Sequence, residues 1–141
     1  MGLKAELVME LSVDIGDLMD IGMTDKGHLR VIPITGGSFT GKQIRGVVVP
    51  GGADWNTLVK DGKAHVFAKY TLQTDDGAYI GVQNEGYLDE NLTDVVIRTS
   101  PQFQTDENGK YSWLSQGIYV GSLRVRESGK PGVSIQIFKL A

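Results

Sequence analysis

The chain has 141 residues, with 14 basic and 17 acidic side chains, a formal net charge of −3 and no cysteine. That length suits one domain, residues 1–141, with a real core, and the missing thiols exclude disulfides, thiolate metal sites and a cysteine nucleophile. With charge nearly balanced and no basic run, neither nucleic acid nor an anionic membrane is expected as a partner.

Nineteen glycines accompany 14 valines, 10 isoleucines and nine threonines, a composition of short β-strands and many turns. No apolar run approaches the ~18 residues of a membrane helix. No charged start leads into an apolar stretch and cleavage site, so a cytoplasmic protein is expected. In chain order, Leu3, Ala5, Leu7, Met9, Leu11, Val13 and Ile15 alternate with polar residues, only Val8 being out of place. That period of two predicts a long strand over residues 3–15 with Leu3, Leu7 and Leu11 on one buried face. Residues 28–34 form a second expected strand, with Pro33 at an edge or a bulge because it cannot donate to a ladder.

After the break at Gly36, Gly37 and Gly41, a strand over 42–49 is expected to stop at the turn-forming Pro50-Gly51-Gly52. Strands at 64–72 and 78–82 flank Asp76-Gly77, a hairpin signal of type I′. Further strands are expected at 95–99, 111–114, 118–126 and 133–140, and a single turn of helix at 55–60 or 88–94. About nine strands, with turn signals every ~8 to 15 residues, predict an all-β antiparallel barrel or sandwich with little helix. The barrel is preferred because closure removes exposed edges.

The familiar catalytic patterns fail in turn. His28 and His65 lack acidic or histidine neighbours at ligand spacing, so no metal site is expected. Gly36 to Gly41 lacks the lysine and the following helix of a phosphate cradle. Asp14, Asp17 and Asp20 lack the spacing of a calcium loop, and there is no Gly-x-Ser-x-Gly elbow. What remains is Pro50-Gly51-Gly52-Ala53-Asp54-Trp55, where a carboxylate beside an aromatic wall could exchange a proton. The plainer reading is an aspartate capping its own turn, with Trp55 plugging a barrel end. Arg98 is the expected anion anchor or the salt-bridge partner of Asp54, and Trp55, Tyr70, Phe103, Tyr111 and Trp113 are the expected pocket lining.

These segments together resemble the domain of unknown function 3237 family, small β-barrel proteins. The resemblance runs from Arg30 to Gly37, through Pro50-Gly51-Gly52-Ala53-Asp54-Trp55, Tyr70 to Ala78 and Arg98 to Phe103, to Tyr111-Ser112-Trp113-Leu114 and Tyr119-Val120-Gly121. Two positions depart from the pattern: Gln104 where the family usually has Glu, and Ser115 where it usually has Asn. The resemblance implies a single antiparallel barrel of lipocalin-like appearance, usually oligomeric, with an interior cavity.

The function expected is binding of a small organic ligand, with a cofactor-independent acid–base step of lyase, isomerase or cyclase type as its chemistry. Asp54 and Arg98 are the expected catalytic pair, converging with Trp55 and Trp113 on one barrel end from rim loops. The alternatives are a ligand carrier or sensor without turnover, and an oligomeric interaction protein with a closed core. No cofactor is expected, and a homo-oligomer, most simply a dimer, is.

Overall fold

The computed structural model describes residues 1–91 and 96–141. Nine strands follow one another as β1 (Ala5–Ile15), β2 (Met19–Thr24), β3 (Gly27–Thr40), β4 (Arg45–Lys60), β5 (Lys63–Thr74), β6 (Tyr79–Asp89), β7 (Ile97–Gln104), β8 (Tyr119–Val125) and β9 (Gly132–Leu140). A 3-10 turn, Ser112–Gln116, lies between β7 and β8. Every pairing is antiparallel, in the order β1-β9-β8-β7-β6-β5-β4-β3-β2. A further pairing of β1 with β3, from Glu10↔Thr40 to Ile15↔Ile34, closes eight strands into a barrel and leaves β2 as an added strand on β3. The expected antiparallel barrel is therefore the fold. Among the described residues no helix is long and apolar enough to cross a membrane.

Closure depends on one glycine in particular. Gly37 pairs with Val13 at the seam and has φ of +134°, in the range that disfavours side chains, and a Cβ there would strike the Ser12 carbonyl oxygen. The interior is filled from alternate positions of the strands: Met9, Leu11 and Val13 on β1, Tyr70 and Leu72 on β5, Ile80 and Val82 on β6, Ile135 and Ile137 on β9. Each aliphatic side chain so buried contributes about 1.5–3 kcal/mol of transfer free energy.

Several expectations need correction. Leu3 is 80% and Leu7 41% exposed, whereas Met9, Leu11 and Val13 are buried. The cause is Val8, the residue that broke the alternation: the β1–β9 register shifts between Leu7 and Met9, and an extra residue there turns the earlier side chains to the opposite face. β4 does not stop at Pro50-Gly51-Gly52. Its register with β5 shifts between Val49 and Ala53, and the strand continues to Lys60, through the span offered for a helical turn.

Pro33 does lie at an irregularity, where the β3–β4 register breaks between Pro33 and Ser38. Met19–Thr24 is a strand not foreseen, and residues 112–116 form the 3-10 turn instead of a strand. The 76–77 hairpin has positive φ at Gly77 only, not at both central residues. The strand expected from 95 and the helical turn expected to 94 fall partly outside the described residues, although β6 runs to Asp89.

Candidate functional site

Side chains directly opposed on neighbouring strands share a face, so register shows what meets inside the barrel. Asp54 on β4 opposes Ile32 and Ala68, Ala68 opposes Asn84, and Asn84 opposes Pro101. One step along, Arg30 opposes Asn56 across β3 and β4, while Val66, Gly86, Thr99 and Gly121 run in register from β5 to β8. Ala68 packs on the core, and Asn56, Asn84 and Thr99 are buried. Arg30, Asp54, Asn56, Asn84 and Thr99 thus form a polar belt around the interior, supplied by β3, β4, β6 and β7.

The Asp54 carboxyl is held in the wall itself. Its Oδ1 accepts the backbone N–H of Phe67 at 3.0 Å, taking a place in the β4–β5 ladder, and its Oδ2 accepts Asn56 Nδ2 at 3.4 Å. Asn56 is oriented in turn by Arg30, whose Nη2 donates to Asn56 Oδ1 and, at 2.6 Å, to Glu90 Oε1. The chain Glu90–Arg30–Asn56–Asp54–Phe67 is therefore continuous. Burial raises the Asp54 pKa above its ordinary value, and the Phe67 N–H, the Asn56 amide, and the charges of Arg30 and His65 offset only part of that.

The rest of the belt is unsatisfied. Among the described residues Asn84 Oδ1, Thr99 Oγ1 and Arg30 Nε are buried without a hydrogen-bond partner. Folded proteins leave few such atoms, because each costs about 1–3 kcal/mol. The two residues opposite Thr99, Gly86 and Gly121, carry no side chain, and a Cβ at Gly121 would strike the Thr99 hydroxyl. The belt is built with open hydrogen-bonding capacity around its middle.

The expected site residues do not meet at one end. Arg98 is on the outer wall, where its Nη1 donates to Ser122 Oγ at 2.8 Å, so it is not the partner of Asp54; the cation near Asp54 is Arg30. Trp55, next to Asp54 on an alternating strand, faces outward and is 50% exposed. Asp54, Trp55 and Arg98 lie within strands, not rim loops, because β4 runs on through its glycines.

Tyr70 is buried two residues beyond Ala68 on the same face of β5, and burial pushes its phenol far above its usual pKa. Phe103 packs edge-on against Tyr119 at 5.3 Å, and Tyr119 donates to the Trp113 carbonyl at 3.2 Å. Tyr111 donates to Asp76 at 2.9 Å, by the β5–β6 hairpin. From Ala68 to Thr74 is six residues, roughly 20 Å of strand, so Tyr111 marks the end away from the belt. A separate cleft of about 1050 Å³ is lined by Gly51, Gly52, Lys69, Tyr70, Gln83, Gln102, Phe103 and Tyr119 among others, including both departures from the family pattern, Gln104 and Ser115.

Arg30, Asn56, Asn84 and Thr99 escaped the reading from sequence. Period two carries Asp54 to Asn56 and Ile80 through Val82 to Asn84, but only if β4 and β6 are read past the points where glycine or strand length suggested a stop.

Fold and belt together define a small antiparallel barrel with a polar, half-satisfied interior. The chain belongs to the family described as protein of unknown function (DUF3237), whose model matches residues 3–140. A UPF0311 protein of Rhodopseudomonas palustris is 35% identical over 136 residues, covering 85% of this chain and 87% of the relative. A β-barrel like protein of Acinetobacter baumannii has 35% identity and a TM-score of 0.85, over 100% of this chain and 98% of that one. An enzyme from Penicillium herquei matches with a TM-score of 0.76 over 100% and 96%, and at 20% identity the likeness is one of fold.

Proposed function

We propose that the barrel binds a small organic molecule against the polar belt and that Asp54 exchanges a proton with it. The observation that carries this reading is the conjunction of a buried carboxyl of raised pKa with buried Asn84 and Thr99 oxygens that have no partner among the described residues. A core that served packing alone would be paired or apolar there. A raised pKa brings a carboxyl nearer the pH at which it can both accept and return a proton.

The Phe67 N–H and the Asn56 amide fix both Asp54 oxygens, so the group reacts from one orientation. Asn84 Oδ1 accepts a hydroxyl or N–H of the ligand, and Thr99 Oγ1 donates or accepts. The reaction class that needs only these groups is a cofactor-independent proton transfer, as in an isomerase, lyase or cyclase step.

The test is a thermal-shift screen of small organic compounds, followed by product analysis on each hit with wild type and Asp54→Asn. The amide oxygen can still accept the Phe67 N–H and only the long Asn56 bond is lost, two amide N–H groups being unable to pair, so the variant should stay folded, bind the hit and form no product. Equal product from both proteins overturns the proton role. Binding without product in either leaves a carrier in place of an enzyme.

A further inference from the structure

Resting on that reading of the belt, the geometry points to the charge class of the ligand: we infer that it carries a carboxylate or comparable oxyanion, and that Arg30 is its anchor. A guanidinium grips a carboxylate best along one edge, through two parallel N–H groups. On Arg30 the edge made by Nε and Nη2 is half used. Nη2 donates to Asn56 and Glu90, while Nε is buried and, among the described residues, without a partner.

Arg126 shows what a structural arginine looks like in this barrel. Its Nη1 donates to Asp14 Oδ1 at 2.8 Å and to the Lys130 carbonyl at 3.1 Å, and its Nη2 to Ser12 Oγ at 2.6 Å. Arg30 is of similar exposure, 20% against 16%; among the described residues Nε makes no hydrogen bond on either arginine, but only on Arg30 is that unpartnered Nε buried. Glu90 is the more exposed member of its pair, at 39%, and follows the end of β6. It touches Arg30 through one oxygen on one nitrogen, the contact a bidentate anion displaces most readily.

Glu90 is therefore the resting occupant of the anchor. A ligand carboxylate takes Nε and Nη2 together, and Asn56, held by the same Nη2, transmits its arrival to the Asp54 carboxyl. A neutral ligand of the same shape can accept one hydrogen bond from Nε but gains neither the charge pairing nor the second, parallel bond.

Benzoate and its neutral counterpart benzamide serve as probes, read by the proton–nitrogen NMR signal of the Arg30 Nε–H group. Benzoate should shift that signal at concentrations at least about tenfold below those at which benzamide, with one neutral acceptor, does. Glu90→Gln, which removes the competing charge, should bind benzoate about tenfold tighter, the equivalent of one charge-assisted hydrogen bond. Arg30→Lys, which lacks the fork, should lose the response, and its melting temperature is measured alongside; if that variant is unfolded, Glu90→Gln decides alone. An unmoved Arg30 signal in both wild type and Glu90→Gln, or equal responses to benzoate and benzamide, overturns the inference. Asp54→Asn should keep its benzoate response, so the anchor is judged by binding and the proton role by product formation, and either can fail while the other stands.

Discussion

Asp54 is held between opposing influences, and their sum makes a prediction about pH. Burial penalises its charged form more than the Phe67 N–H, Asn56, Arg30 and His65 favour it, so its folded pKa is above the unfolded one. The folded state then binds the proton more tightly than the unfolded chain. The stabilisation this gives is complete below the unfolded value near 3.9 and is lost as pH rises through the folded pKa. Wild type should therefore lose stability over that window relative to Asp54→Asn, whose amide does not titrate. Urea unfolding of both proteins from pH 4 to pH 8 measures it, and parallel pH curves would contradict it.

Gly37 makes a second prediction at this scale. Alanine there meets an unfavourable φ and the Ser12 carbonyl together, and should cost about 2 kcal/mol or more, read as a shift of the urea midpoint. Legibility also varies residue by residue. Asp54 stood out in the sequence as a carboxylate beside an aromatic after small residues, although burial and not Trp55 raises its pKa, whereas Asn84 and Thr99 are ordinary residues whose interest comes from oxygens without a partner among the described residues. Partnership is a property of the fold and has no trace in one strand's pattern.

At the scale of elements, alternation located most strands, and the errors came where the chain spends a residue on a bulge. Val8 was visible as a break in the pattern, and its consequence, the turning of Leu3 and Leu7 to the outside, follows from the period of two. Pro50-Gly51-Gly52 read as a terminator because those residues favour turns; in the barrel they absorb a register shift, and β4 resumes with Asp54 inward and Trp55 outward. The same local chemistry serves a bend in a strand and the end of one, and only the neighbouring strands decide.

One tie between distant elements should be measurable. Arg126, just after β8, bonds Asp14 and Ser12 on β1 and lowers the Asp14 pKa, chiefly through its hydrogen bond. Arg126→Ala should cost about 1–3 kcal/mol. The Asp14 contribution is present above its unfolded pKa and is lost as pH falls through the lower folded one, so the variant, in which Lys130 still pairs with Asp14, should show a smaller acid-induced loss than wild type. Denaturant unfolding of the two proteins at neutral and at acid pH checks both parts.

At the scale of the whole molecule, barrel closure was legible because so many short alternating strands have few other ways to hide their edges, and β2 is the exception that closure leaves outside. Among the described residues no strand pairs with its outer edge, and it bears Met19, Ile21 and Met23, with Trp55 and Val59 on β4, all half exposed or more. Stable monomers protect such edges, and we predict that a second copy of the chain covers this one. If two β2 strands pair antiparallel with Ile21 opposite Gly22, Asp17 of each copy comes opposite Lys26 of the other, two complementary charge pairs related by the two-fold axis.

Sedimentation at micromolar concentration should then give twice 15.3 kDa. Ile21→Lys alters an exposed side chain and should yield a folded monomer. Asp17→Lys should weaken the dimer, and adding Lys26→Asp to it should restore it, because the pairs are merely reversed. A wild-type monomer, or a dimer indifferent to all three changes, would remove β2 as the interface, and a double variant no better than Asp17→Lys would remove this register.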